Sequence, residues 1–351
     1  MRYRLLAAVA LLAPLGLAAQ AKVPASGVTS PATAYPLAPS PVLPTGALTR
    51  NPSFSGYVSV RETIREDTAT FVVNRARLTV QERPLPYVAV RVQADFSAVG
   101  RTSHDTVPAI SLTDAYIQLS PHDTASGATG VLHPAFIAGQ FRTPFSLEYL
   151  TPFSLLRTAN RSQAVDRLST RRDLGVLGQV RLARVATITG AVVNGEGPNR
   201  TSNSDGRQMA VGRLTLFPTA RLAVAAKWLG QGGDHRWGYD ARWLGARLLA
   251  EGEVIVRAVS GGTAAADSRG GYVLVAYTPL TWLQPVVKWE RLRETSSTTP
   301  ATPESRLTWT TYGINFLAPQ ERLRLQLDWI DRAERPATAP GELVAQVLAV
   351  F

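Results

Sequence analysis

Glu342-Leu-Val-Ala-Gln-Val-Leu-Ala-Val-Phe351 alternates with period two and ends on an aromatic ring. Leu343, Ala345, Val347, Ala349 and Phe351 share one face, an unbroken apolar stripe. Alternate side chains of an extended chain point to opposite sides, so the stretch reads as a β-strand. Terminal segments of soluble domains usually fray and carry polar residues. A strand of a transmembrane β-barrel instead turns one face to lipid and favours an aromatic where it leaves the bilayer.

The same period recurs along most of the chain, in about sixteen runs between 53–62 and 341–351. In the run 86–97, Val88, Val90, Val92, Ala94 and Phe96 oppose Tyr87, Ala89, Arg91, Gln93 and Asp95. A soluble β-sandwich alternates in the same way, with the apolar face as its core. The connections favour a barrel. Every second one is tight (82–85, 183–184, 218–219, 278–280, 319–320), and those between are long and polar (195–206, 261–269, 294–304). Short periplasmic turns facing long external loops are the pattern of outer-membrane barrels. One connection, 121–133, is long where a short turn is expected.

The front of the chain supplies the compartment. Arg2 and Arg4 precede the apolar run 5–17, and Ala19-Gln20-Ala21 reads as a small-residue cleavage site, so 1–21 is expected to be a secretory signal peptide. Residues 22–52 hold seven prolines and little charge, which predicts a periplasmic linker with no face to bury. The barrel domain is expected over 53–351. The chain has no cysteine, which excludes a disulfide scaffold, a zinc ribbon and a thiol enzyme.

The chain carries a net charge of +11. Its basic residues are almost all arginine, with lysine only at positions 22, 227 and 288. With the apolar faces toward lipid, Arg61, Arg75, Arg77, Arg91, Arg142, Arg213, Lys227, Arg242, Arg257, Lys288, Arg322 and Arg324 are predicted to point inward. A cation on the lipid face near the midplane costs roughly 2–4 kcal/mol, so inward placement alone does not establish selectivity. Arg75 and Arg77 on one strand with Arg91 on the next form a cluster, and such clusters give a pore a positive potential. Asp95, Asp114, Glu290 and Asp328, also inward by parity, partly offset it.

Several ordered blocks carry a family resemblance. Phe71-Val-Val-Asn-Arg75-Ala-Arg77-Leu-Thr-Val80, Leu112-Thr-Asp114-Ala-Tyr116, Ile137-Ala-Gly-Gln140-Phe-Arg142-Thr-Pro-Phe145-Ser-Leu-Glu148 and Arg171-Arg-Asp173-Leu-Gly175 resemble the phosphate-selective porins of O and P type over roughly 70–197. The resemblance implies a sixteen-stranded, homotrimeric barrel of the bacterial outer membrane. Such a barrel passes inorganic phosphate or other small anions through a basic channel, with no cofactor and no nucleic-acid partner. It also implies that the segment 145–170 folds into the lumen, which makes Arg157, Arg161 and Arg167 candidates for a constriction beside Arg75, Arg77, Arg91, Arg142, Arg213 and Lys227. Phe351 is similar to the terminal aromatic by which bacterial outer-membrane proteins are recognised for insertion. Scarcity of lysine departs from the lysine clusters expected for tight phosphate specificity.

No enzyme motif stands against this reading. There is no Gly-x-Ser-x-Gly elbow and no His-Glu-x-x-His. The His-Asp neighbours at 104–105, 122–123 and 234–235 fall in connecting segments, so neither a catalytic nor a metal site is expected. A poorly selective general porin and an outer-membrane enzyme or adhesin remain the alternatives.

Overall fold

The computed structural model describes residues 35–44, 51–97, 110–121, 132–260, 266–296, 304–336 and 339–351. Its strands are β1 (Ser53–Arg65), β2 (Thr68–Leu85), β3 (Val88–Asp95), β4 (Ser111–Leu119), β5 (Leu132–Arg142), β6 (Arg172–Leu182), β7 (Ala186–Val193) and β8 (Met209–Thr219). They continue as β9 (Leu222–Gln231), β10 (Asp234–Leu244), β11 (Leu248–Val259), β12 (Ala266–Tyr277), β13 (Leu283–Ser296), β14 (Ser305–Leu317), β15 (Leu323–Arg335) and β16 (Glu342–Val350). Each pairs antiparallel with its sequence neighbours, and β1 pairs with β16, so the sheet closes on itself. Closure leaves no unpaired edge, which a bilayer would not tolerate. The expected sixteen strands are therefore present. The stretch 1–21, expected to be a signal peptide, and the connection at 122–131 lie outside the described residues.

The two faces are inverted relative to a soluble protein. Val92, Ile117, Phe136, Val176, Ile188, Val273 and Trp289 are exposed on the outer surface. Asp95, Asp114, Lys288, Glu290 and Asp328 are buried on the inner one. A β-sandwich would bury its apolar faces, so the sandwich alternative fails. An exterior of apolar side chains with exposed Trp228, Trp237, Trp282, Trp289 and Trp329 suits a bilayer and its two interfaces.

At the seam, Gly56 and Phe351 exchange two backbone hydrogen bonds of 2.9 and 3.0 Å. A Cβ on Gly56 would lie 2.4 Å from the Arg77 carbonyl oxygen and 2.6 Å from the Phe351 ring, so glycine is what allows the last residue to lie over β1.

Two segments run against lumen-facing side chains. The first, 143–171, joins β5 to β6 and contains α1 (Leu147–Leu150) and α2 (Gln163–Leu168), capped by Ser146 and Ser162. Ala159 N–H donates to Asp328 (2.7 Å), Gln163 N–H to Glu290 (2.6 Å) and Ser162 N–H to Glu148 (2.8 Å). Lys288 Nζ donates to the Thr158 hydroxyl and the Asn160 carbonyl. Buried inward acids and cations thus satisfy a segment with little regular structure of its own.

The second is 35–44, part of the stretch expected to be a linker. Proline lacks an N–H but keeps its carbonyl, and these carbonyls accept from the wall: Pro36 from Arg242 (2.7 Å), Pro41 from Tyr116 (2.9 Å) and Pro44 from Arg83 (2.9 Å). Gln118 bonds both the N–H and the carbonyl of Leu43. Residues 35–44 are a strap along the turn end of the barrel interior.

Candidate functional site

Basic side chains converge where β1–β6 face the segment 143–171. On β2, a register shift at Ser59/Val60 brings Asn74 and Arg75 together opposite β1, with Arg77 two residues on. Arg77 Nε lies 2.9 Å from Asp95 Oδ2, and Arg75 Nε lies 3.8 Å from the same oxygen. Arg75 is stacked over the Phe153 ring at 5.3 Å, and Arg161 covers Tyr149 at 4.5 Å and Phe153 at 5.9 Å. Cation–π contact of this kind holds a guanidinium in place without neutralising it.

A second group surrounds Asp114 on β4. Arg91 Nε is 3.1 Å from one of its oxygens and Arg172 Nε 2.7 Å from the other. Arg142 lies directly across the sheet from Arg172 and donates to the Leu150 carbonyl at 2.8 Å. Beneath them the backbone passes close: Gly139 has φ +129°, and a Cβ there would meet the Ala115 carbonyl oxygen at 2.2 Å. Arg61 completes the set, donating to Asn160 (2.8 Å), the Ala159 carbonyl (2.5 Å) and Gln346. Arg75, Arg77, Arg91 and Arg172 therefore share the carboxylates of Asp95 and Asp114, while Arg61, Arg142 and Arg161 are held beside them largely by carbonyl oxygens and aromatic rings.

The remaining expected residues have other surroundings. Arg213 makes a two-point ion pair with Asp240 (2.7 and 2.8 Å) and donates to the Phe145 carbonyl. Lys227 contacts both Asp240 and Glu253, and Glu253 in turn accepts from the Ser146 hydroxyl and the Glu148 N–H. Their side chains are 5% and 0% exposed, against 35% for Arg75 and 20% for Arg91, so they fix the segment 143–171 rather than meet water. Arg157 pairs with Glu321 at 2.7 Å and packs over Tyr35 at 4.7 Å. Arg167 pairs with Glu294 near the loop end. Arg322, expected inward, is an exposed residue of the turn before β15; Arg324, next in parity, is fully buried and donates to the Leu156 carbonyl.

Arg172 was not among the expected site residues. Parity gives its side of the sheet, but its place beside Arg142 and Asp114 depends on how far the intervening segment carries the chain before β6 begins. Electrostatics in the segment centre on Glu148: burial pushes its carboxyl up to about 8, opposed by Lys288 and Arg161 and by the Ser162 N–H it accepts. Among the described residues no group of acidic and imidazole side chains could hold a metal ion.

No family model and no curated protein matches the sequence. The fold has solved counterparts. The outer membrane channel DcaP of Acinetobacter baumannii superposes with a TM-score of 0.63 at 11% identity, over 88% of this chain and 100% of that one. The anion-selective porin from Comamonas acidovorans gives 0.59 at 11%, over 86% and 99%. The trimer form of OmpT, an outer membrane protein of Vibrio cholerae, gives 0.61 at 11%, over 86% and 99%. The chain has the closed sixteen-stranded barrel of the outer-membrane porins and channels. Its apolar exterior and its architecture make it an integral barrel of the bacterial outer membrane.

Proposed function

We infer that the protein is a passive, anion-selective porin. The observation that carries this reading is the arginine cluster in which Arg75, Arg77, Arg91 and Arg172 share Asp95 and Asp114, with Arg75 and Arg91 partly exposed to the lumen. An anion entering the cluster exchanges part of its hydration shell for charge-assisted hydrogen bonds, at several successive sites that each hold it weakly enough for release. Guanidinium forks match phosphate oxygens in pairs, so phosphate and phosphate-like oligoanions are the preferred solutes. The segment 143–171 narrows the lumen beside the cluster, and the assembly is a homotrimer, as in the trimer form of the Vibrio cholerae structure. Transport follows the solute gradient and needs no catalysis.

A weakly selective pore is the second reading. It draws support from the pairing of Arg77, Arg91 and Arg172 with Asp95 and Asp114, which lowers the field available to a solute. Planar-bilayer recording separates the two. Reversal potentials in a KCl gradient should show anions favoured over potassium, and those in phosphate against chloride should show phosphate permeating. Equal permeability of potassium and chloride would remove the selective reading.

A further inference from the structure

The outer surface carries a feature that passage through the lumen does not use. Arginine recurs at the lipid-facing positions of four consecutive strands, in one cross-strand row. Arg269 on β12 lies opposite Arg293 on β13, Arg293 opposite Arg306 on β14, and Arg306 opposite Arg335 on β15. Followed the other way, the row runs from Arg269 through Val256 to Trp237 and Trp228. An interfacial aromatic girdle therefore passes into a line of cations. Arg291, two residues from Arg293 on the same face, adds a fifth.

Like charges directly opposite on neighbouring strands destabilise a sheet, so the row needs counter-charge. Glu304 supplies some, binding both Arg293 and Arg306. Asp267 and Asp331 share the outward face, but neither forms an ion pair with the row among the described residues. Nor do Arg269 and Arg291 have an ion-pair partner there. Both are exposed.

Next to these arginines the outer wall is hollow. A groove of about 900 Å³ crosses β8–β13, where outward positions are occupied by Ala226, Gly252 and Gly271 between the larger Tyr239, Val273 and Trp289. Arg269, Arg291 and Arg293 form its end toward the long loops. In a barrel with its long loops outside, that end faces the outer leaflet. The groove is apolar along its length and cationic at the headgroup end.

We propose that this groove is a binding site for a phosphorylated lipid of the outer leaflet. Acyl chains fill the hollow over Ala226, Gly252 and Gly271, and a phosphate lies on Arg269 and Arg291, where it also screens Arg293. Charge complementarity selects this occupant. A second copy of the chain would have to set its own apolar wall against unpaired guanidinium groups.

The test uses the full-length barrel, purified in detergent, with binding of defined lipids read by native mass spectrometry. Diphosphoryl lipid A should be retained at one site, and its dephosphorylated form far less. Arg269→Gln with Arg291→Gln should lower retention of the diphosphoryl form about tenfold or more, since each basic residue near a membrane surface contributes roughly 1 kcal/mol toward an anionic lipid. Ala226→Leu, which fills the hollow and leaves the charges, should lower it as well. Inorganic phosphate at millimolar concentration should not displace the lipid. Heat-modifiable mobility on gels checks that each variant is folded. Equal retention of both lipid forms, or unchanged retention in the folded arginine variant, overturns the proposal. So does loss of oligomer from Ala226→Leu, which would place a second copy in the groove. None of these readouts depends on ion selectivity.

Discussion

Arg75 and Arg213 are both inward arginines on strands, yet the structure gives them different work. Arg75 is one-third exposed, stacked on Phe153, and its nearest carboxylate is already bonded to Arg77. Arg213 is closed in with Asp240. Replacing Arg75 and Arg77 by Gln removes two lumen charges and keeps approximate size. Two charges acting over about one Debye length of 8 Å in water change an ion's local energy by only a few tenths of a kcal/mol. The anion-over-cation permeability ratio should therefore fall about twofold at physiological salt and more at low ionic strength. Arg213→Gln should behave otherwise, because it leaves Asp240 buried with Lys227 alone. Breaking a buried pair costs about 3–5 kcal/mol, so the folded band should be lost at lower temperature. Similar selectivity changes from both substitutions would mean that exposure does not sort the lumen arginines. The sequence held the parity of both residues. It did not hold their depth, since period two tells inside from outside and nothing about what lies above a side chain.

The segment 143–171 shows the same division. Its length and its arginines mark it in the sequence, and the resemblance implied an inward course. Which side chains it would meet was hidden, because those partners lie on β11, β13 and β15, more than a hundred residues away. Deleting 158–166 should raise single-channel conductance if the segment narrows the lumen; an unchanged conductance in a folded variant would place the narrowest section elsewhere. Glu148 adds a pH dependence. Burial raises its carboxyl from an ordinary value near 4.5 to about 8, so the docked segment holds a proton that the solvated one releases. Raising the pH from about 4.5 through 8 therefore weakens docking. Open-channel noise should increase between pH 5 and pH 8.5, and Glu148→Gln should abolish the increase. An increase that persists in the variant would assign it to another group.

Barrel closure was legible from the outset. Alternation, the even number of runs and the unequal connections each reflect a sheet that must pair every strand, face lipid outside and turn tightly on one side. The seam adds a detail that no pattern contained, the approach of Phe351 to Gly56. Phe351→Ser keeps the two backbone hydrogen bonds and removes the ring that covers β1. Fewer folded barrels should reach the membrane, measured as the heat-modifiable fraction; normal levels would show that the ring is dispensable. The strap 35–44 is the clearest departure from the reading of the sequence. Proline-rich and nearly uncharged, it has no periodicity of its own, and its order comes from donors on the wall.

Tyr35 ties these parts together. Its ring lies between Arg242 of the wall, at 4.5 Å, and Arg157 of the segment 143–171, at 4.7 Å, while its hydroxyl donates to Glu251. The strap lies toward the turn end of the barrel and the other segment descends from the loop end, and Arg242 also bridges them, donating to the Pro36 carbonyl and to the Thr151 hydroxyl, both at 2.7 Å. The two ends of the lumen are in this way joined by direct contact, through one ring and one guanidinium. Tyr35→Ala removes the ring and leaves the two Arg242 bonds, so it should loosen the join without severing it. Current recordings should then show more frequent brief closures than the intact protein gives; an unchanged closure rate would mean that the ring contributes nothing to the join.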